Sequence, residues 1–331
     1  EEFNILTVED NGSFKSFYHS KGIDLSKGNE KKVKKVTEEK VIIQNLKQAT
    51  EELQIKPVPR IYLDPLPESI DLLEILNEST NKVAFSEGTW HVDKRTTDNV
   101  IAPVGYFDSP SDCIQEILEI DFNEKDGHLW LVGAPGSDKE AVLSSMVLSL
   151  ALTHTPEKAQ FYILDFGAGS MRSLDNLPHV ATIIRLQEKE RIQRLLNFLD
   201  SEMDGHISLD TSMETIPSTR RDIFVVVNNY AEMRVTYPDE ADHLSRYIRD
   251  GKAAGIHLII ATNRGAELNR NIASNISRKL VLQLASKDEY MDVIGRNVPP
   301  ITSRAIGRGY WVDERLYECQ LGNSSQINVK K

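Results

Sequence analysis

From residue 128 to residue 261, short apolar runs alternate with stretches whose apolar positions recur at helical spacing. The runs His128–Gly133, Gln160–Asp165, Ile223–Asn228 and Ile256–Ala261 are rich in β-branched residues. They lack polar alternation, the pattern of strands buried on both faces of a parallel sheet. The segments 139–152, 187–204 and 240–253 read as the helices between them. Such alternation predicts a mostly parallel, doubly wound α/β sheet with its ligand site at the C-terminal strand ends. Near the end of the chain, Tyr310-Trp-Val and Leu316–Leu321 flank charged turn residues and predict an antiparallel hairpin on the sheet edge.

The first hundred residues follow a different pattern. A short β-prone run holds Phe14, Phe17 and Tyr18, and the charge-dense stretch 27–40 reads as a solvated linker or the exposed start of a helix. Ile42, Leu46, Ala49 and Leu53 then recur at helical spacing, predicting one amphipathic helix that packs on the domain that follows. Pro57, Pro59, Pro65 and Pro67 block regular structure and mark an extended connector, and residues 69–77 read as a short helix. The resulting division is a tail and helical linker at 1–56, a proline-rich connector with its short helix at 57–102, and an α/β domain at 103–325.

Composition narrows the functions on offer. A net charge of −11 over 331 residues weighs against a body that binds nucleic acid through its phosphates. Cys113 and Cys319 form no paired spacing, and without CxxC or HExxH no protein-built metal site is expected. The apolar stretch at 146–152 is too short to span a bilayer. The chain opens on Glu1-Glu2, with no signal peptide, and is expected to be a piece of a longer polypeptide whose membrane anchor, if it has one, lies elsewhere.

The candidate chemistry lies after the first buried strand. Leu129-Trp-Leu-Val-Gly133 runs into Ala134, Pro135, Gly136, Ser137, Asp138, Lys139 and Glu140, and then into a helical stretch. Strand, glycine-containing loop and helix start form the context of a phosphate-binding P-loop, G-x-x-x-x-G-K-[S/T]. Gly133 and Lys139 fall in register, but Asp138 replaces the second glycine and Glu140 the Mg²⁺-holding hydroxyl. Asp138 tolerates unusual backbone angles less well than glycine and adds negative charge beside the phosphate position. Glu140 can ligate Mg²⁺ yet crowds the β-phosphate. Taken alone, the segment also reads as an ordinary strand–loop–helix turn with a chance lysine. The strand at 223–228 ends in Asn228-Asn229, where a Walker B strand carries the acids that hold Mg²⁺ and polarise water. An amide has no charge to hold the metal and cannot serve as general base. The spacing from Lys139 leaves room for one intervening strand–helix unit, the order of a RecA-like P-loop NTPase core.

Seven further segments carry a resemblance. Gly255-Ile-His-Leu-Ile-Ile-Ala-Thr-Asn-Arg264, Asn275-Ile-Ser-Arg-Lys-Leu280 and Gly307-Arg-Gly309 resemble the FtsK/SpoIIIE ATPase family. Pro103-Val-Gly-Tyr-Phe-Asp108, Phe161-Tyr-Ile-Leu-Asp-Phe-Gly167, Leu177-Pro-His-Val180 and Asp64-Pro-Leu-Pro-Glu68 resemble, within it, the ATPases of type VII secretion systems (EssC/EccC). The likeness covers residues 57–322 and implies a membrane-anchored chain of tandem ATPase modules on the cytoplasmic face, assembled as homo-hexamers and exporting small helical substrates. The junction before the core resembles the one preceding the second module.

By position, the resemblance turns Lys139 toward phosphates and puts Asn228 and Asn229 in the Walker B places. Asn263 stands where the family often has a γ-phosphate-sensing glutamine. Arg264 and Arg278 become phosphate or inter-subunit arginines, or surface ion pairs, and Asp165 supports a metal or caps a helix. Asp138, Glu140, Asn228 and Asn229 all depart from the active pattern, so weak or absent ATP binding and no resident Mg²⁺ are expected. The leading reading is a degenerate ATPase module serving assembly, regulation or substrate docking beside neighbouring modules of its own chain. A DNA-translocating ATPase, against which the acidic charge weighs, and a purely structural remnant are the alternatives.

Overall fold

The computed structural model describes residues 6–8, 14–16, 38–55, 63–79, 85–86, 89–90, 99–212, 221–302 and 305–324. The chain divides into two compact units, Glu1–Ile61 and Tyr62–Lys331. In the first, β1 (Leu6–Val8) pairs antiparallel with β2 (Phe14–Ser16), and α1 (Glu38–Glu52) follows. Ile42 and Leu46 on this helix, and Leu53 just after it, are exposed. Phe17, Tyr18 and the charged run up to residue 37 lie outside the described residues.

The second unit opens with α2 (Leu72–Glu78), capped by Asp71, whose carboxylate accepts from Leu73 N at 3.1 Å. A two-stranded hairpin, β3 (Phe85–Ser86) and β4 (Thr89–Trp90), comes next, followed by the antiparallel pair β5 (Ile101–Ser109) and β6 (Ile114–Asp121). The α/β core then runs β7 (Leu129–Val132), α3 (Lys139–Thr153), β8 (Ala159–Asp165), a 3-10 turn at Ser170–Asn176, β9 (Val180–Arg185) and α4 (Lys189–Ser212). It continues with β10 (Asp222–Asn228), α5 (Tyr230–Thr236), α6 (Pro238–Asp250), β11 (Ile256–Thr262), α7 (Arg270–Ala273), β12 (Lys279–Val281) and α8 (Lys287–Ile294). The last pair is β13 (Arg308–Val312) and β14 (Leu316–Leu321).

Among the described residues these strands make a ten-stranded sheet in the order β6-β5-β14-β13-β12-β7-β11-β10-β8-β9. From β12 to β9 the strands run parallel; from β12 to β6 they alternate in direction. The predicted C-terminal hairpin forms, but not on the sheet edge. β14 hydrogen-bonds to β5, so β6 is the outermost strand and the hairpin lies inside the sheet.

Every residue of β7, β10 and β11 is buried, because helices cover both faces of the parallel half. Successive side chains point to opposite faces. Leu131, Phe224, Val226, Ile259 and Ala261 pack toward α3, whereas Val132, Val225, Val227, Leu258 and Ile260 pack toward α4 and α6. This alternation sets the register and directs the polar strand ends outward at the two rims.

At the N-terminal rim, polar side chains are buried and paired. His257 Nδ1 lies 2.9 Å from Gly127 O and its Nε2 3.1 Å from Asp222 Oδ1, while Lys158 Nζ is 2.9 Å from Asp222 Oδ2. Burial alone would raise the Asp222 carboxyl; its partners His257 and Lys158 outweigh burial and hold it below the usual range. Leu258 N donates to His128 Nδ1 at 3.0 Å. Burial, with His257 beside it, pushes His128 down to about 4.

The unfolded chain binds a proton at His128 near pH 6.5, whereas the folded chain keeps the ring neutral until about pH 4. Stability is therefore fully present above pH 6.5 and falls as pH drops toward 4. The loss from this one group is on the order of 3 kcal/mol. Urea unfolding at pH 7 and pH 4.5 should show it, and His128→Asn should flatten the dependence over that window.

Candidate functional site

At the opposite rim, parallel register brings four strand ends to one level. Val132 lies opposite Thr262, Val227 opposite Ile260 and Asn228 opposite Asp165. β7 therefore releases its loop beside the ends of β11 and β12. Gly133 N donates to Thr262 O at 3.1 Å, and Ala134 N to Gln283 O at 2.9 Å. A Cβ at 133 would collide with Ser137 Oγ, so glycine lets the loop close on itself. Ser137 N returns to Ala134 O at 3.0 Å, with Pro135 and Gly136 exposed at the tip.

Asp138 takes the left-handed conformation that glycine supplies in an intact P-loop, with φ 56° and ψ 30°. The loop thus keeps its backbone course at a local cost of roughly 1 kcal/mol. Asp138 is exposed, so its repulsion of a phosphate about 5 Å away stays below roughly 3 kcal/mol. Lys139 heads α3, its side chain 5% exposed and its Nζ 3.7 Å from Glu140 Oε1. The lysine at the P-loop position thus has a carboxylate as its neighbour.

The strand ends next to the loop form a ladder of amides. Asn228 Nδ2 donates to Asp165 Oδ1 at 2.9 Å, and both residues are buried. Asn229 Nδ2 donates to Phe166 O at 3.3 Å, and Asn263 Nδ2 to Asn229 Oδ1 at 3.4 Å. Glu267 anchors Asn263 by accepting from its backbone N–H at 2.7 Å. Asp165, Asn228, Asn229 and Asn263 are thereby linked across β8, β10 and β11. The 3-10 turn that follows β8 is capped by Gly169, so Asp165 does not cap it.

The two arginines separate. Arg264 follows β11 at this rim, exposed, with Nε 3.5 Å from Glu289 Oε1. Arg278 precedes β12, and Trp130 N donates to its carbonyl, so it belongs to the N-terminal rim. There it is buried and donates to Asp121 O, with Nη2 3.4 Å from Glu124 Oε2. Arg278 is thus at the opposite end of the sheet from this chain's own phosphate loop, which leaves, of its three expected roles, the inter-subunit arginine and the ion pair.

Mg²⁺ needs hard oxygen ligands, commonly carboxylates and water. The donor set here does not fit it. Glu140 stands beside Lys139 where a hydroxyl was expected; the residues expected at the Walker B places, Asn228 and Asn229, are amides; and Asp165 is engaged by Asn228. Among the described residues no cluster of three or more His, Cys, Asp or Glu is placed to hold a metal.

A second feature escaped the sequence reading. β9 is the terminal strand, and cavities flank it on both faces. One of about 540 Å³ is lined by Arg172, Ile183, Arg185, Glu188 and Arg191. The other, about 250 Å³, is lined by Tyr162, Ile184, Leu195 and Phe198. The β-branched run Val180-Ala-Thr-Ile-Ile184 was the available signal for the strand.

Comparison with known proteins agrees with the fold. The model of the FtsK/SpoIIIE family matches residues 94–209. The chain carries an FtsK/SpoIIIE domain. Its homologues are type VII secretion ATPases: it is 29% identical over 262 residues to the ESX secretion system protein EccC of Thermomonospora curvata, covering 72% of this chain and 19% of the relative. The chain thus spans about a fifth of that relative's length. The solved cytoplasmic domain of the Thermomonospora curvata type VII secretion ATPase EccC superposes with a TM-score of 0.67 at 25% identity, covering 94% of this chain and 36% of the other. A structure of ATPases 2 and 3 of that EccC in complex with a signal sequence peptide aligns with a TM-score of 0.58 at 25% identity, covering 79% and 46%. The mostly parallel α/β sheet is that of the P-loop ATPases. Among the described residues no helix is long and apolar enough to cross a membrane.

Because Asp138 holds a left-handed conformation with no side-chain cap, Asp138→Gly should raise stability by about 0.5–1 kcal/mol. A shifted urea midpoint with an unchanged slope is the expected readout.

Proposed function

We propose that this chain is a degenerate ATPase module of a type VII secretion motor, serving assembly, regulation or substrate docking rather than ATP hydrolysis. The observation that carries the reading is the pairing of a preserved loop with an altered charge set. Gly133 closes the loop and Asp138 supplies the left-handed turn, while amides occupy the positions of the metal-holding and water-activating acids. A P-loop that keeps its backbone still offers N–H groups to phosphate. Without Mg²⁺ and a base, the step from binding to hydrolysis loses its main stabilisers. ATP binding is accordingly weak and indifferent to Mg²⁺.

Docking has a surface on β9. An edge strand offers unsatisfied backbone groups, and here apolar and arginine-lined cavities flank it. That a relative was solved with a signal sequence peptide supports the same use. In the full-length protein this module would sit on the cytoplasmic face of the membrane, beside neighbouring modules and within a hexamer. The net charge of −11 weighs against DNA as the partner.

Two measurements test the reading together. Calorimetric titration with ATP, with and without Mg²⁺, should give a dissociation constant no tighter than about 0.1 mM and little changed by the ion. In cells, Lys139→Ala in the full-length protein should leave export intact, whereas deleting the module should block it. Tight Mg²⁺-dependent binding, or loss of export in Lys139→Ala, would sink the proposal.

A further inference from the structure

The ladder at the strand ends suggests what silences the site. Asp165 and Asn228 face each other across β8 and β10, in register, with Nδ2 2.9 Å from Oδ1. Asn228 is fully buried and Asp165 is 3% exposed. Gly167 N also approaches Asp165 Oδ1, at 3.3 Å. A Cβ at Gly167 would sit 2.7 Å from Asn228 Nδ2, so the glycine leaves room for the amide. The carboxylate therefore meets two neutral donors and no cation in this clamp. Asn228 Oδ1, the other half of the amide, is buried without a partner among the described residues.

Two carboxylates held about 3 Å apart cannot both ionise unless a cation lies between them. An acid at 228, where the Walker B pattern has one, would create that situation with Asp165, which a shared proton or a divalent ion would relieve. An amide at 228 removes the second charge and offers the remaining acid a hydrogen bond instead. We propose that Asp165 is a latent divalent-cation ligand and that Asn228, by donating to it, keeps the site free of metal. This deepens the module reading and rests on it, since it treats the strand ends as a former metal site.

The test uses Mn²⁺ as the probe, since it favours oxygen ligands and is visible by electron paramagnetic resonance. Free Mn²⁺ and the melting temperature are measured for the whole chain as wild type, Asn228→Asp and Asn228→Asp/Asp165→Asn. Wild type should take up no Mn²⁺ below about 1 mM. Asn228→Asp should melt lower without the ion and bind one Mn²⁺ per chain, recovering stability as it does so, because an ion that binds only the folded state stabilises it. The double variant should bind none. If Asn228→Asp does not fold, Asn228→Ser, which frees Asp165 without adding charge, should bind Mn²⁺ at least about tenfold more tightly than wild type. The inference is overturned if wild type binds Mn²⁺ as well as the variant, if neither variant gains binding, or if binding survives Asp165→Asn. ATP turnover is followed in the same preparations. Turnover by wild type would defeat the module reading, while the Mn²⁺ comparison alone decides the role of Asp165.

Discussion

The parallel register of β7, β11, β10 and β8 is the constraint on which the site depends. Buried apolar side chains alternate between two helix-covered faces, so no strand can slip by one residue without turning its core side chains to the wrong face. That fixed register places Val132 opposite Thr262 and Asn228 opposite Asp165. From it follow the loop anchored on Thr262 O and the amides that join three strand ends. The loop's backbone course is thus maintained by core packing and strand-end hydrogen bonds, independently of the chemistry of the side chains it carries.

Shape and charge have separated at this site. The loop's course depends on Gly133 and on a left-handed residue at 138, and aspartate is among the few side chains that accept that conformation. The proposed lack of hydrolysis rests on positions that the core does not need: 140, where the P-loop pattern has a hydroxyl, and 228 and 229, where the Walker B pattern has acids. The amides at 228 and 229 find partners in Asp165, Phe166 O and Asn263, which spares most of their polar atoms the cost of burial unpaired.

Much of this was legible in the residue pattern because buried parallel strands and P-loop spacing leave strong signals. The runs ending at Gly133, Asp165, Asn228 and Ala261 form the strands expected of them. Other features depend on long-range pairing that no local pattern reports. The hairpin at 308–321 looked like an edge because nothing in its own residues reveals β5, about two hundred residues earlier, as its partner. That Arg278 sits at the rim away from the loop was not legible either, because spacing does not tell which end of a strand an adjacent side chain occupies. Asp138 looked unsuited to its turn on propensity, and the loop's own hydrogen bonds prevailed. β9 went unread because its run of β-branched residues is short and follows a proline-containing turn.

The central claim is that a P-loop with its backbone intact and its metal and base positions replaced by amides does not hydrolyse ATP. Steady-state phosphate release by the purified chain in Mg²⁺ and ATP, with Lys139→Ala measured in parallel, tests it most directly. The account predicts that the two proteins are indistinguishable at the background rate. Robust turnover that disappears in Lys139→Ala would contradict it.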